Sequence, residues 1–374
     1  MAYYIGVMSG TSLDGIDIAI CSFSELDSNP NSFQFIAAKT FPFPYKLRKK
    51  LQNLILNPQI SLQELGDIDV ELGRLIAHSI NQFLTSKNLT VQDIVAIGSH
   101  GQTLFHSPDT RHPFSFQIGN ANEIAELTGI TTIADFRQRD IAAGGQGAPL
   151  VPAFHQSVFC DYNKDRVIVN IGGISNITVL PSSEKEKVLG FDTGPGNGLL
   201  DYWIQSQLGE SYDKSGQWAA SGICNNAFLS LLLDTAYFKQ TIPKSTGREL
   251  FNKSWLNGKL AQLEQDIPAA DVQATLVELT AITISNDIKT YANASQGIFI
   301  CGGGAHNHAL LKRLKSLLSD KKITTTQALN LDPDWVEACA FAWLAYRTTH
   351  QKTGNLASVT GANRAVILGA IYPA

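Results

Sequence analysis

A short segment of small and hydroxyl-bearing residues has the composition of an anion-binding turn. It has the sequence SGTSLDG at residues 9–15, between an apolar run at residues 4–8 and an alternating run at residues 16–21. This spacing predicts two strands joined by a turn. Glycines let main-chain N–H groups approach a phosphate closely, and the hydroxyl groups supply further donors. A tight hairpin without a ligand is the alternative. The candidate phosphate contacts are Gly10, Thr11, Ser12, Leu13, Asp14, Gly15, Ile16 and Asp17.

The combination of a strand and a glycine turn recurs twice. Residues 166–180 contain an apolar β-branched run, a glycine turn and a second run, and residues 297–301 form a third apolar run that ends in glycines. A helix with one apolar stripe is predicted to begin at His308. The candidate contacts here are Asn170, Gly172, Gly173, Gly302, Gly303 and Gly304. No G-x-x-x-x-G-K-S/T motif occurs, and no G-x-G-x-x-G motif opens a helix after the first strand.

Asp192 has the setting expected of a catalytic carboxylate. It follows Phe191 and precedes the sequence Thr-Gly-Pro-Gly, which is not expected to continue a strand. We therefore expect the side chain at a strand end, beside an opening. With an unperturbed pKa near 4 it is ionised at neutral pH and can accept a proton from an attacking water. An aspartate that caps a helix or forms an Asx turn is the alternative.

Glu337 is a charged residue in an otherwise apolar stretch. After Asp334 it is the only charged residue in residues 334–344. Asp332 as N-cap and Pro333 as the first helical residue predict a helix through this stretch. Charged side chains are seldom buried without a purpose, so we expect Glu337 to line the ligand pocket or to assist the base. A solvent-facing glutamate is the alternative.

A polar group follows the apolar strand predicted at residues 94–98. Residues 99–103, with the sequence SHGQT, are predicted to form a turn whose side chains suit hydrogen bonds to hydroxyl groups of a ligand. Arg137, with Asp135, offers a fixed cation for a ligand carboxylate, and Arg139 could serve instead. A solvated polar loop is the alternative. The candidate substrate contacts are Ser99, His100, Gln102, Thr103, Asp135 and Arg137.

The composition bounds the kind of protein. The chain has 374 residues, room for two domains, of which 44% are hydrophobic and 17% charged. A net charge of −4 without a basic face argues against a nucleic-acid partner. Five isolated cysteines predict neither a disulfide framework nor a zinc site, and they favour a reducing compartment. Neither a signal peptide nor a membrane-spanning stretch is predicted, so we expect a cytoplasmic protein.

Local signals predict the elements that must position these residues. Ser61 and Glu64 form a capping box at the start of a helix. Residues 137–155, rich in glycine and proline, are the candidate crossing between two domains. The other predictions are strands at residues 94–98, 114–118 and 130–136, a strand from Val167, and helices from Asn120 and at residues 271–291.

Whole phrases of the sequence resemble the anhydro-N-acetylmuramic acid kinases. They are spread over nearly the whole chain, at residues 8–17, 98–103, 134–137, 143–155, 170–177, 191–197 and 301–307. In addition, the order of the three glycine turns is similar to the two phosphate loops and the adenosine loop of actin-like ATPases and sugar kinases. The resemblance implies an α/β, two-domain actin-like (ribonuclease H-like) ATPase fold with a central interdomain cleft.

The resemblance also implies an activity. Such kinases use ATP and water to open the internal 1,6-anhydro ring of anhydro-N-acetylmuramic acid, and they yield the 6-phosphate sugar in cell-wall recycling. By this resemblance Asp192 is the base, the partner is a small amino sugar, and a homodimer is expected. The rivals are a kinase for another hexose derivative, and a non-enzymatic actin-like scaffold or sugar-sensing regulator. No helix-turn-helix precedes the first strand, which counts against the regulator.

The cation is not assigned by the sequence. Asn170 replaces the acidic residue usual at the start of the second phosphate loop of the wider superfamily, and the aspartate usual before the first turn is absent. Mg²⁺ prefers phosphate oxygens and waters with one or two carboxylates. Asp14, Asp17 and Asp192 are the candidates, without a ranking. The predicted domains are residues 1–137 with 357–374, and residues 138–356.

Overall fold

The structure is a computed structural model that describes residues 2–10, 13–24, 33–183, 185–247 and 249–374. Two units are separable: unit 1 comprises Met1–Val158 and Trp335–Ala374, and unit 2 comprises Phe159–Asp334. Each unit has one mixed β-sheet and its own apolar core. Among the described residues, no helix is both long and apolar enough to cross a membrane.

Unit 1 is built on a seven-stranded sheet. The strands are β1 (Tyr3–Ser9), β2 (Ile16–Phe23), β3 (Phe33–Phe41), β4 (Ile94–Ser107), β5 (Phe114–Ile118), β6 (Thr132–Ala134) and, near the end of the chain, β12 (Ala370–Tyr372). Their order is β12-β6-β4-β1-β2-β3, with β5 paired to β4. The pairs β1/β4 and β4/β6 are parallel and the other pairs are antiparallel. The predicted first hairpin is therefore confirmed.

The helices of unit 1 cover this sheet. They are α1 (Tyr45–Leu56), α2 (Leu62–Ser86), α3 (Ala121–Thr128), α4 (Phe136–Ala142), α5 (Val151–Phe159), α12 (Val336–Thr349) and α13 (Ala357–Thr360), with a short 3-10 helix at Val91–Asp93. The predicted capping box of α2 is confirmed, because the Ser61 side chain accepts from the Glu64 N–H and the Glu64 carboxylate accepts from the Ser61 N–H. Asn120 caps α3, as predicted.

Two glycines let α12 lie directly on the sheet of unit 1. A Cβ atom at Gly6 in β1 would lie 1.8 Å from the Ala338 main-chain oxygen, and one at Gly98 in β4 would lie 2.1 Å from that of Phe341. Neither position has room for a side chain. The two glycines therefore set the distance between α12, which carries Glu337, and the strands that carry the polar residues of unit 1.

Unit 2 repeats the plan with a five-stranded sheet. Its strands are β7 (Arg166–Ile171), β8 (Ile174–Leu180), β9 (Leu189–Pro195), β10 (Gly297–Cys301) and β11 (Lys322–Thr325), in the order β11-β10-β7-β8-β9. Its helices are α6 (Asn197–Leu208), α7 (Gln217–Ser221), α8 (Asn226–Leu233), α9 (Lys253–Leu260), α10 (Ala269–Tyr291) and α11 (His308–Leu317). Short 3-10 helices lie at Lys214–Gly216, Ala236–Lys239, Gly303–His306 and Thr326–Leu329. The strand predicted near Val167, the helix at residues 271–291 and the helix beginning at His308 are confirmed.

Three local predictions are wrong. Residues 99–103 are not a turn, because β4 continues through them: Ser99 pairs with Val7 of β1, and Gln102 pairs with Ile118 of β5. The helix with Glu337 begins at Val336 with Trp335 as N-cap, not at Asp332. The strand predicted at residues 130–136 is shortened to Thr132–Ala134, because Asp135 adopts a left-handed conformation (φ 57°) before α4.

The units differ from the predicted domains at both boundaries. Residues 138–158 and 335–356 belong to unit 1 and not with the second predicted domain. For the second segment the reason is the packing of α12 against β1, β2 and β4. For the first, the Gln146 N–H donates to the Thr360 oxygen, and Asp140 accepts from Asn355 and Thr360 near the end of the chain.

Candidate active site

The first predicted phosphate turn is partly described. Thr11 and Ser12 lie outside the described residues. The Leu13 N–H donates to the Gly10 oxygen at 3.1 Å, and Leu13 has φ 56° and a buried side chain. This arrangement turns the chain tightly between β1 and β2, and Gly15 leads into Ile16, the first residue of β2.

The two acidic residues of this turn have different surroundings. The Asp14 side chain is 76% exposed and lies 3.4 Å from Arg48. Asp17, within β2, accepts a hydrogen bond from the Thr40 hydroxyl at 2.6 Å. Asp14 is therefore the more accessible of the two carboxylates.

The second turn lies against the start of α6. The Gly172 oxygen accepts from the Asn197 N–H at 2.7 Å, and the Gly173 oxygen accepts from the N–H groups of Gly196 and Gly198 at 3.0 and 3.1 Å. A Cβ atom at Gly172 would have the Ile174 oxygen, at 3.6 Å, as its only neighbour within 4 Å. The packing around it does not require a glycine at 172, so space beside the main chain is open to a ligand there.

The third turn is brought to the same edge of the sheet. β10 is parallel to β7, and Cys301 pairs with Asn170. A Cβ atom at Gly302, which has φ 76°, would lie 2.4 Å from Asn170 Oδ1, and one at Gly304 would lie 2.3 Å from Ile171 Cγ2. These two glycines are thus required by packing on β7. The structure brings together Asn170, Gly172, Gly173, Gly302, Gly303 and Gly304 at the carboxyl ends of two neighbouring parallel strands, where α/β sheets bind ligands.

Asp192 lies inside β9, and its expected place at the strand end is wrong. Pairing with β8 continues to Pro195, because Gly194 at φ 142° and a register shift at Ser175 accommodate the chain. The Asp192 carboxylate accepts from the Thr246 N–H at 2.9 Å, and its own N–H donates to the Lys244 oxygen at 3.2 Å. The Tyr237 hydroxyl donates to the Asp192 main-chain oxygen at 2.6 Å.

The environment changes the protonation of Asp192. Burial raises its pKa to about 7, with a further contribution from Glu249, while the Thr246 N–H and the Lys244 ammonium act in the opposite direction. The unperturbed value near 4 assumed from the sequence does not apply. A carboxylate that titrates near neutrality has the proton affinity suited to a general base.

A buried ion pair lies behind this carboxylate. The Lys244 ammonium is 3.1 and 3.0 Å from the two carboxylate oxygens of Asp287 on α10, and the two side chains are 3% and 13% exposed. The ammonium also lies over the rings of Phe191 and Tyr237, at 5.6 and 5.4 Å from their centres. The pair anchors the segment whose main chain holds Asp192.

In unit 1 the predicted substrate residues are largely buried. Ser99, His100 and Gln102 are at most 6% exposed in β4. The Ser9 hydroxyl donates to Gln102 Oε1 at 2.5 Å, and the Thr103 hydroxyl accepts from Gln117 at 3.1 Å. The side chains of Gln102 and Thr103 therefore bond to neighbouring strands of the sheet, which their sequence context as a polar turn did not indicate.

Arg137 on α4 is held by protein acceptors. Its Nε and Nη2 atoms lie 3.1 and 3.0 Å from His100 Nε2, and its Nη1 donates to the Gly147 oxygen at 2.8 Å. Burial lowers the pKa of Arg137, and the carboxylates of Glu337 and Asp140 act in the opposite direction. Glu337 is half-buried rather than solvent-facing, and unit 1 thus brings Glu337, Arg137 and His100 together.

Two further predicted residues of unit 1, Asp135 and Arg139, each lie two positions from Arg137 in the sequence. Asp135 accepts from the Tyr372 hydroxyl of β12 at 2.8 Å, and burial followed by this contact raises the pKa of Tyr372 to about 12. Arg139, the alternative cation, is exposed near the end of α4.

Sequence reasoning missed several residues of both clusters. Tyr237 and Thr246 contact Asp192 from 45 and 54 residues away, and no pattern in the sequence marks them or Lys244. Asp140, which is fully buried, accepts from the Gly147 N–H at 2.8 Å. Its place before the glycines of residues 144–147 is the one signal that could have been followed.

Two sheets of this order, each with a tight turn after its first strand, are the arrangement of the actin-like ATPase fold. A solved structure with this fold is component A of the (R)-2-hydroxyglutaryl-CoA dehydratase of Acidaminococcus fermentans, with a TM-score of 0.50 and 10% identity, covering 94% of this chain and 100% of that one. The family model described as anhydro-N-acetylmuramic acid kinase matches residues 2–374. The chain belongs to the anhydro-N-acetylmuramic acid kinase family.

Individual relatives agree over the full length. An anhydro-N-acetylmuramic acid kinase from Pasteurella multocida is 52% identical over 375 residues, which cover 99% of this chain and 97% of the relative. One from Photobacterium profundum is 50% identical over 378 residues, covering 99% and 98%. The chain is therefore an enzyme, a kinase that uses ATP, and the rival interpretation as a non-enzymatic scaffold or regulator is excluded.

Proposed function

We propose that the chain opens the 1,6-anhydro ring of 1,6-anhydro-N-acetylmuramic acid with water and phosphorylates the 6-oxygen. The products are N-acetylmuramic acid 6-phosphate and ADP, and the reaction serves the recycling of cell-wall sugars. Membership of the family supports the substrate and the reaction. The assignment of roles to individual residues rests on the geometry of the two polar clusters.

Asp192 carries the mechanism. Its carboxylate has a pKa of about 7 and is oriented by the Thr246 N–H, while its main chain is held by Lys244 and Tyr237. In the ionised form it accepts a proton from a water that attacks the anomeric carbon. The bond between that carbon and the 6-oxygen then breaks, and the 6-oxygen becomes the phosphoryl acceptor. Glu337 is proposed to assist on the sugar side.

The glycine turns fit a nucleotide. The open space beside the main chain at Gly172 lets a phosphate approach this turn, and the neighbouring Asn170 and Gly303, without a side chain in the way. ATP, when bound, supplies the phosphoryl group. We propose that residues 10–17 serve as the other phosphate loop, since Gly10 and Leu13 turn the chain there.

Mg²⁺ is proposed to be held through the first turn. The Asp192 carboxylate accepts from the Thr246 N–H and is assigned above to the base, so we do not also assign it to the cation. The Asp14 side chain is 76% exposed, and Asp17 follows it in β2. We therefore assign the cation to Asp14 or Asp17, together with phosphate oxygens and waters.

The sugar is proposed to contact the cluster of unit 1. Ser99, Gln102, Thr103 and Asp135 remain predicted substrate contacts, although the hydrogen bonds described above for the last three are within the protein. Arg137 is proposed to bind the carboxylate of the lactyl ether, because guanidinium and carboxylate match in geometry and charge. A homodimer is proposed from the family resemblance alone, and a cytoplasmic location from the sequence signals described above.

The test is a coupled assay of ADP release in ¹⁸O-labelled water. We expect release with 1,6-anhydro-N-acetylmuramic acid, and none above background with glucose, N-acetylglucosamine or intact N-acetylmuramic acid. Water attack at the anomeric carbon predicts ¹⁸O at the anomeric position after immediate borohydride trapping, and no ¹⁸O in the sugar phosphate group. Turnover of glucose instead would identify a kinase for another hexose, and labelled phosphate would contradict the proposed order of bond changes.

A further inference from the structure

His100 contacts a guanidinium group in a way that fixes its own protonation. Its Nε2 atom lies 3.1 Å from Nε and 3.0 Å from Nη2 of Arg137. Both guanidinium nitrogens carry hydrogen and cannot accept, so the imidazole nitrogen must be the acceptor for both. The His100 ring is therefore neutral, with its hydrogen on Nδ1.

The surroundings of His100 keep the ring in this form. It is 6% exposed, and its ring centre lies 4.7 Å from that of Phe341 on α12. Burial, and then the charge of Arg137, lower the pKa of His100 well below its ordinary value, against smaller contributions from the main chain of Gly101 and Ser9. The Nε2 atom is already used by Arg137 and the Nδ1 atom is buried, so the ring has little capacity to bind a sugar hydroxyl.

Arg137 is fixed on two sides. Besides the fork to His100, its Nη1 donates to the Gly147 oxygen, and the Gly147 N–H is held by the buried carboxylate of Asp140. A guanidinium has five N–H donors, and these contacts use three, which leaves two in a fixed plane. Glu337 and Asp140 offset the charge of Arg137. An anion that binds Arg137 is therefore selected by the direction of its two remaining N–H groups and not by a net positive charge.

We propose that His100 is a positioning residue, which fixes the plane of the Arg137 guanidinium so that its two remaining N–H groups receive the lactyl carboxylate of the sugar. This inference rests on the proposed function and refines it, because His100 acts through Arg137 and does not contact the substrate. A lysine at position 137 could not make the same fork, since its ammonium has no fixed plane.

The test compares two replacements of His100. His100→Gln retains an acceptor near the position of Nε2, whereas His100→Leu fills the space beside Phe341 without an acceptor. We measure KM and kcat with 1,6-anhydro-N-acetylmuramic acid and with 1,6-anhydro-N-acetylglucosamine, which lacks the carboxylate. His100→Leu should raise KM for the first sugar by roughly 10- to 100-fold with a smaller change in kcat, and His100→Gln should restore KM to within about threefold.

Controls separate this role from a general loss of structure. His112→Leu, on the exposed turn between β4 and β5, should behave like the parent. If His100→Leu does not fold, by its circular dichroism and melting curve, His100→Asn takes its place, because the shorter amide does not reach the Nε2 position. Equal KM values for His100→Gln and the variant without an acceptor would overturn the positioning role.

The second sugar tests the proposed function separately. A KM increase confined to the sugar with the carboxylate supports both the positioning role and the assignment of Arg137. If glutamine rescues but both sugars lose equally, the positioning of Arg137 stands and its proposed contact with the carboxylate is overturned. Absence of turnover in the parent enzyme with either sugar would overturn the proposed function itself.

Discussion

Unit 1 and unit 2 begin alike and are completed differently. In each, three antiparallel strands, β1-β2-β3 or β7-β8-β9, are followed by two parallel strands, β4 and β6 or β10 and β11. In unit 1 the charged cluster is linked by side chains, with His100 on Arg137. In unit 2 the candidate base Asp192 is held by main-chain groups of residues 244 and 246.

This difference predicts which substitutions each cluster tolerates. A main-chain donor persists when its side chain is replaced, whereas a side-chain acceptor is lost with its residue. The cluster of unit 2 should therefore be sensitive at Asp192 and at the ion pair that anchors the segment, but not at Thr246. The cluster of unit 1 should be sensitive at each side chain.

The largest expected effect is at the base. Asp192→Asn keeps the shape of the side chain and an acceptor for the Thr246 N–H, but it cannot take a proton. We expect turnover to fall by about 10²- to 10⁴-fold while nucleotide binding is retained. Sugar-dependent ADP release and calorimetric titration with ATP measure the two quantities. More than about a tenth of the parent rate would contradict the assignment of the base.

Lys244→Met tests the ion pair that supports the same cluster. It leaves the buried carboxylate of Asp287 without its partner, so the free energy of unfolding should fall by about 3–5 kcal/mol in urea denaturation. Lys239→Met is the matched control, because its pair with Asp234 is 68% and 74% exposed. The control should change stability by less than about 1 kcal/mol. Equal losses in the two variants would show that burial does not distinguish these pairs.

Two glycines of unit 2 should respond in opposite ways. Gly172→Ala places a Cβ atom in open space, so folding should be unaffected, while ATP affinity should fall about tenfold through loss of close approach. Gly304→Ala meets Ile171 and should destabilise the fold by about 1–3 kcal/mol. Isothermal titration and thermal unfolding measure both. Unchanged ATP affinity in Gly172→Ala would remove this turn from the nucleotide site.

The pH dependence follows from the raised pKa of Asp192. Activity requires the ionised form, so kcat/KM should rise with pH through about 7. The folded protein also binds the Asp192 proton more tightly than the unfolded chain, whose pKa is near 4. The contribution of this proton to the free energy of unfolding is fully present below about pH 4 and is lost as pH rises through 7. Asp192→Asn should therefore melt above the parent at pH 8 and close to it at pH 4.

The smallest effect is expected at Thr246. Its N–H, not its side chain, contacts Asp192, and the buried Thr246 hydroxyl has no hydrogen-bond partner among the described residues. Thr246→Ala should leave both kcat and the melting temperature nearly unchanged. Thr246→Pro, which removes the N–H, should lower kcat and is the matched contrast. A large loss in the alanine variant would mean that unit 2 also depends on side-chain contacts here.

The sequence alone determined the elements that are local. The β1/β2 hairpin, the turn at Gly172 and the start of α11 follow from residue alternation, glycine placement and helix spacing, which act over a few neighbours. The phrases shared with the kinase family also predicted Asp192 as the catalytic base. What the sequence misplaced was the end of β4, since pairing with β1 and β5 on either side extends that strand through polar residues.

Only the tertiary structure decided the chemistry of these residues. The pKa of Asp192 depends on burial and on groups such as Lys244 and Glu249, which are distant in the sequence. Glu337 acts on the charge of Arg137 because α12 packs on the sheet of unit 1, where Gly6 and Gly98 leave room for it. His100 was predicted to bind the sugar because it is polar, and only the structure shows that its Nε2 atom accepts from Arg137. Protonation and hydrogen-bond capacity are set by what surrounds a side chain, and those surroundings come from parts of the chain that local patterns do not connect.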